Sequence, residues 1–151
     1  MPSIVKLDYP INRNALLIDA EKARETAELH GGPKTQEAGK WLISYYENAR
    51  IKKIMQDLNI KGKTRWYFIG EDFYVEPHVD TNTAKCAVCF VLSDHASPIT
   101  IDGQDHQYTP SLIDVQRVHS VKKSKGERII LRFSVEHKDF DTVVKEIRYK
   151  A

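Results

Sequence analysis

The apolar positions of this chain change period near residue 62, and the change divides it into two kinds of structure. Upstream the pattern is helical. From Asn12 to Leu29, the residues Leu16, Ala20, Ala23 and Ala27 fall on one stripe with Leu17 beside it, which predicts an amphipathic helix stopped by Gly31-Gly32-Pro33. Thr35 is an N-cap candidate for a second, longer helix running to about Leu58. Its stripe would be Trp41, Leu42, Tyr45, Ala49, Ile51, Ile54, Met55 and Leu58. A polar break at 59–63 follows.

Downstream the period shortens to that of strands, and turn signals recur. The apolar alternation predicts strands at 65–69, 73–80, 86–92, 99–101, 107–109, 112–115, 119–121 and 128–135. Asp102-Gly103, Thr109-Pro110 and Ser124-Lys125-Gly126 are the turns between them. Short strands in such number fit a barrel or double-sheet jelly roll. Residues 139–149 are expected to form a last helix or an added edge strand. No linker, repeat or low-complexity tract interrupts the chain. We therefore expect one mainly β domain over 1–151, with helical support in 1–60 and the β core in 64–135.

Composition narrows the class without naming a function. A chain of 151 residues can bury a core without staples, and 41% hydrophobic with 29% charged residues is ordinary for a globular protein. A formal net charge of +2 gives no electrostatic case for nucleic acid. The basic cluster Lys122-Lys123-Ser124-Lys125 reads as a solvated turn. No apolar run approaches a membrane span, and the first residues lack the apolar core of a signal peptide, so a cytoplasmic protein is expected. Cys86 and Cys89 form a C-x-x-C, but there is no second pair for zinc. On a strand their side chains face opposite sides, so both are expected to be buried core thiols.

The candidate chemistry lies in His78-Val79-Asp80 and His119. Two ligands at i and i+2 of an extended segment share one face. A third from far along the chain could complete a 2-His-1-carboxylate face around Fe(II), leaving positions open for a chelating co-substrate and O2. Arg128, nine residues after His119, could grip the far carboxylate of that co-substrate with its planar guanidinium. Arg132 shares strand parity with Arg128 and competes for that role. Arg117 shares the face of His119 and could reach substrate. His95 and His106 lie near turns and read as surface residues. His30 reads as a helix-end residue, and Trp41 and Trp66 as core anchors.

These residues give the chain a resemblance to the Fe(II)/2-oxoglutarate-dependent dioxygenases built on the double-stranded β-helix. The family pattern is H-x-D, a distal His in an H-x-V context, and an Arg nine or ten residues later. It is matched by His78-Val79-Asp80, His119-Ser120-Val121 and Arg128. Cys86-Ala87-Val88-Cys89-Phe90-Val91-Leu92-Ser93-Asp94 resembles the strand that follows H-x-D in these enzymes. The stretch from Thr109 to His119 looks like small phage and bacterial enzymes near the aspartyl/asparaginyl hydroxylases, and the spacing from H-x-D to C-x-x-C is similar to hypoxia-type prolyl hydroxylases. Leu92 departs from the tyrosine of the latter.

The resemblance covers about 64–135. It implies metal ligation by His78, Asp80 and His119, and co-substrate binding by Arg128. An early-strand tyrosine, Tyr67 or Tyr74, would assist. The implied reaction hydroxylates a peptide or protein side chain or a small molecule, with succinate and CO2 released from 2-oxoglutarate. The chain lacks long insertions, so an open site is expected. Two rivals stand beside this reading: a cupin-like metal enzyme that does not use 2-oxoglutarate, and a jelly-roll binding module without chemistry. Asp80 and Arg128 favour the dioxygenase reading over the cupin-like one.

Overall fold

The computed structural model describes residues 2–29, 41–71, 73–80, 84–94, 98–107 and 110–151, and these form three layers. A seven-stranded antiparallel sheet lies in the middle, with helices on one face and a four-stranded antiparallel sheet on the other. In chain order the elements are β1 (Ile4–Lys6), α1 (Arg13–Glu25), β2 (Glu28–Leu29), β3 (Trp41–Ser44), α2 (Ala49–Leu58), β4 (Lys63–Ile69) and β5 (Val75–His78). They continue as β6 (Cys86–Val91), β7 (Ile99–Ile101), β8 (Gln104–His106), β9 (Ser111–Ile113), β10 (His119–Val121), β11 (Arg128–Val135) and α3 (Phe140–Glu146). The large sheet runs β1-β9-β6-β11-β4-β3-β2 and the small one β5-β10-β7-β8. This is the mainly β, jelly-roll architecture expected from the sequence.

Strand alternation divides the apolar residues between two cores. Trp66, Phe68, Phe90, Leu131 and Phe133 point to the helices, where they meet Leu16, Ala20 and Ala23 of α1 and Ile51, Ile54 and Leu58 of α2. Tyr67, Ile69, Cys89, Ile113 and Ile130 point the other way, toward Val75, Ile99, Ile101 and Val121 of the small sheet. Cys86 and Cys89 accordingly fall in different cores, both buried and neither in a disulfide. Trp41 and Trp66 are core residues, one on each side of the large sheet.

The expected long second helix is corrected by the structure. Trp41–Ser44 is strand β3, paired with β4 through Trp41↔Ile69 and Ile43↔Tyr67. A short apolar run has no period that separates strand from helix, and partnering with β4 decides the matter. The helix itself begins only after Asn48, whose side chain accepts from the Ile51 backbone N–H at 3.0 Å. Among the described residues, 1–60 thus supply three strands as well as two helices. The expected N-cap at Thr35 and the stop at Gly31-Gly32-Pro33, with His30 and His95, lie outside the described residues.

Other boundaries shift less. Near the strand expected at 107–109, whose last two residues lie outside the described ones, the structure has β8 at Gln104–His106, set by the Asp102-Gly103 turn. Both turn residues have positive φ, 49° and 78°, which suits the tight hairpin joining Ile101 to Gln104. His106 is half-buried on β8 opposite Ile99 and is not the surface residue expected. The last element is a helix, α3, capped by Asp139. Among the described residues no helix is long and apolar enough to cross a membrane.

Asn48 also ties α2 to α1. Its amide donates to Asp19 Oδ1 at 2.9 Å, and Arg50 Nε donates to Asp19 Oδ2 at 3.0 Å, so the carboxylate of this 2% exposed residue is satisfied. Asn48→Ala removes a helix cap and a partner of a buried carboxylate together. Its expected cost is about 2–3 kcal/mol. A lower urea midpoint with an unchanged slope would register it; a midpoint within error of wild type would contradict this account.

Candidate metal centre

His78 ends β5 and His119 opens β10, and the antiparallel register sets them directly opposite each other. Their ring centroids are 4.3 Å apart. Two residues beyond His78 parity, Asp80 returns to the same side, and its backbone N–H donates to the Val115 carbonyl at 2.9 Å. Val79, between them, points outward and is exposed. The i, i+2 spacing and the β5–β10 register therefore bring three potential ligands, two imidazoles and a carboxylate, together.

Each imidazole is oriented by a carbonyl two residues upstream. His78 Nδ1 lies 2.8 Å from the Glu76 oxygen, and His119 Nδ1 lies 2.8 Å from the Arg117 oxygen. A carbonyl can only accept, so Nδ1 carries the proton in both rings and Nε2 of the neutral ring presents a lone pair. Both Nε2 atoms face Asp80 Oδ1, at 3.3 Å from His78 and 3.4 Å from His119. Candidate ligand atoms of all three residues lie within 4.8 Å of one another. Ligands at right angles on a divalent ion, with bonds of about 2.1 Å, sit roughly 3 Å apart. Both imidazoles lie at nearly that spacing from the carboxylate oxygen, and three acceptors gathered within 4.8 Å fit a bound cation. Two imidazoles and one carboxylate with open positions are the donor set that suits non-haem Fe(II).

The large sheet contributes a cation to the same place. Arg132 of β11 donates from Nη2 to Asp80 Oδ2 at 2.6 Å and from Nε to Ser134 Oγ at 3.0 Å. Its guanidinium carbon lies 5.9 Å from the centroid of the Tyr67 ring, within cation–π range. Burial opposes ionisation of Asp80, yet its contacts with His119 and His78 and the charge of Arg132 outweigh it. The carboxyl is held well below the usual carboxylate range. Burial likewise opposes the charge of Arg132, and the neighbouring Tyr67, Asp80 and Cys89 groups more than offset it, so the guanidinium stays protonated.

Arg128 lies four residues earlier on the same face of β11 and is 1% exposed. Its Nη2 donates to the Lys122 carbonyl at 3.1 Å and to the Ser124 hydroxyl. Tyr67 is buried on the inner face of β4, whereas Tyr74 is exposed and has Lys123 5.9 Å above its ring. Tyr74, Pro77, Ser120, Lys122 and Lys123 line a separate groove of about 440 Å³. The Arg117 side chain is engaged by Asp102 at 3.1 Å and Asp114 at 3.8 Å, so its direct service to the triad is through its backbone carbonyl.

Thus His78, Asp80, His119, Arg132 and Tyr67 gather at one end of the inter-sheet space, with Arg128 further along β11. The carbonyls of Glu76 and Arg117 and the hydroxyl of Ser124 are site features that residue-type reasoning misses. Main-chain acceptors carry no residue signature, and Ser124 reads only as a turn residue.

No family model matches the sequence, and no curated protein does. Solved structures do. A prolyl hydroxylase from Trichoplax adhaerens, in complex with a hypoxia inducible factor oxygen degradation domain peptide fragment, is similar at TM-score 0.65 and 10% identity. That match covers 88% of this chain and 82% of the other. A 2OG-Fe(II) oxygenase family protein from Burkholderia pseudomallei matches at TM-score 0.57 and 13% identity, over 85% of this chain and 81% of that one. A prolyl-4-hydroxylase from Pseudomonas putida matches at TM-score 0.56 and 13% identity, over 82% and 86%. The fold is that of the Fe(II)/2-oxoglutarate oxygenases.

Proposed function

We propose that this protein is an Fe(II)- and 2-oxoglutarate-dependent dioxygenase that hydroxylates a peptide or protein side chain or a small molecule. The observation that carries this reading is the convergence of His78, Asp80 and His119, with their Nε2 and Oδ1 acceptors turned toward one point. His78 and His119 would each give an imidazole nitrogen and Asp80 a carboxylate oxygen to Fe(II). Bound Fe(II), 2-oxoglutarate and O2 supply the oxidative chemistry, in which succinate and CO2 are formed and an oxygen atom passes to a substrate C–H bond.

The remaining residues bind and orient. Arg128 would receive the distal carboxylate of 2-oxoglutarate, because a buried carboxylate needs a charge-assisted partner. Its Cα lies about 13 Å along the strand from that of Arg132, a span that a long arginine side chain and a short dicarboxylate can bridge to the metal. Tyr67, on the inner face beside Arg132, is better placed than the exposed Tyr74 to offer a hydroxyl to the co-substrate. The peptide complex of the Trichoplax enzyme supports starting a substrate search with peptides.

Protein given Fe(II), 2-oxoglutarate and O2 is expected to form succinate and CO2 slowly without a primary substrate, and chelation of the metal should stop it. Failure to bind 2-oxoglutarate in a metal-dependent way, together with no turnover, would reject the dioxygenase reading in favour of a cupin-like enzyme or a binding module.

A further inference from the structure

We propose that Arg132 is a positioning residue for the metal's carboxylate ligand: by occupying Asp80 Oδ2 it leaves Oδ1 alone to face the two imidazoles. This inference rests on the metal reading of the triad and goes beyond it. A carboxylate can hold a cation through one oxygen or two. With two, it would take one of the positions that a chelating co-substrate and O2 need. Swinging Oδ2 onto the metal would strip the nearly buried Arg132 of its counter-charge, which makes that second mode unfavourable.

The arginine is itself held. Ser134 Oγ accepts from Nε while Asp80 accepts from Nη2, so two bonds on one planar group define its plane. The Tyr67 ring flanks it. Its backbone is fixed by pairing to Arg65 of β4 on one side and Cys89 of β6 on the other, in the interior of the large sheet. The positioning therefore comes from the sheet opposite to the one that carries the ligands.

Co(II) is the probe, because its visible absorption reports coordination number and its affinity is measured without turnover. Arg132→Met is expected to weaken Co(II) binding about 10- to 100-fold, the range typical of partners that orient a metal ligand, and to alter the Co(II) spectrum. Arg132→Lys should fall between it and wild type, since the charge returns without the fork. Ser134→Ala should change the spectrum in the same sense by a smaller amount. Asn48→Ala, which destabilises the fold far from the site, should leave Co(II) affinity and spectrum as in wild type. A folded Arg132→Met protein with wild-type affinity and spectrum overturns the proposal. Should that variant not fold, wild-type spectra in both Arg132→Lys and Ser134→Ala overturn it equally. Absence of Co(II) binding by wild type would overturn the metal reading as well; insensitivity of the variants alone overturns only the role of Arg132.

Discussion

Asp80→Ala is expected to abolish metal binding and also to lower the stability of the metal-free fold by about 3 kcal/mol or more. The first effect follows from removal of the only anionic ligand of the triad. The second follows from Arg132, whose side chain is 12% exposed and whose Nη2 sits 2.6 Å from Asp80 Oδ2. Truncating the carboxylate strands a nearly buried cation. The two effects separate in a double mutant. Asp80→Ala/Arg132→Met removes both charges, and it should regain most of the lost stability while remaining unable to bind metal. Asp80→Asn keeps an oxygen for Arg132 and should lose less than Asp80→Ala. Urea unfolding of wild type, both single mutants and the double mutant gives the coupling energy directly. Simple additivity of the single losses would show that the ion pair contributes nothing in the fold. The practical consequence is that inactivity of Asp80→Ala alone cannot be assigned to metal loss without its stability.

That ion pair also marks the limit of what the sequence could disclose. Residues 64–135 were readable because short apolar runs recur there, separated by turns such as Asp102-Gly103. The i, i+2 spacing of His78 and Asp80 puts both on one face of a strand whatever the rest of the fold does. His119 required only that a later strand pair with that one, and the register His119↔His78 does so. In contrast, contact between Arg132 and Asp80 depends on how two sheets face each other, which no local period encodes. Strand parity makes Arg132 a competitor of Arg128 for one carboxylate, and only the spacing from His119 favours Arg128. The structure gives them different neighbours, Ser124 and Lys122 for one and Asp80 for the other. The error at 41–44 has a similar origin. Trp41, Leu42 and Ile43 match a helical stripe and a strand equally well, and their assignment is made by β4. Strand β2, at two residues, is too short to leave a pattern of its own.

Arg128→Met is expected to raise the 2-oxoglutarate concentration needed for half-maximal succinate formation by at least about thirty-fold, while Co(II) affinity stays at the wild-type value. The magnitude comes from loss of a buried charge-assisted pair, about 2 kcal/mol or more at roughly tenfold per 1.4 kcal/mol. Methionine fills much of the volume of this 1% exposed side chain without its charge, so the barrel should remain packed. Arg128→Lys should give an intermediate value, since an ammonium restores charge but not two-pronged geometry. Ser124→Ala should give a smaller rise, because the Lys122 carbonyl still accepts from the same nitrogen. The pattern across the two arginines is the discriminating result. Arg132→Met should move metal binding, and Arg128→Met should move only the co-substrate, although both project from one face of β11. A half-saturating 2-oxoglutarate concentration unchanged by Arg128→Met would remove the carboxylate role of Arg128. Metal binding unlinked to 2-oxoglutarate would then favour a cupin-like site built on the same three ligands.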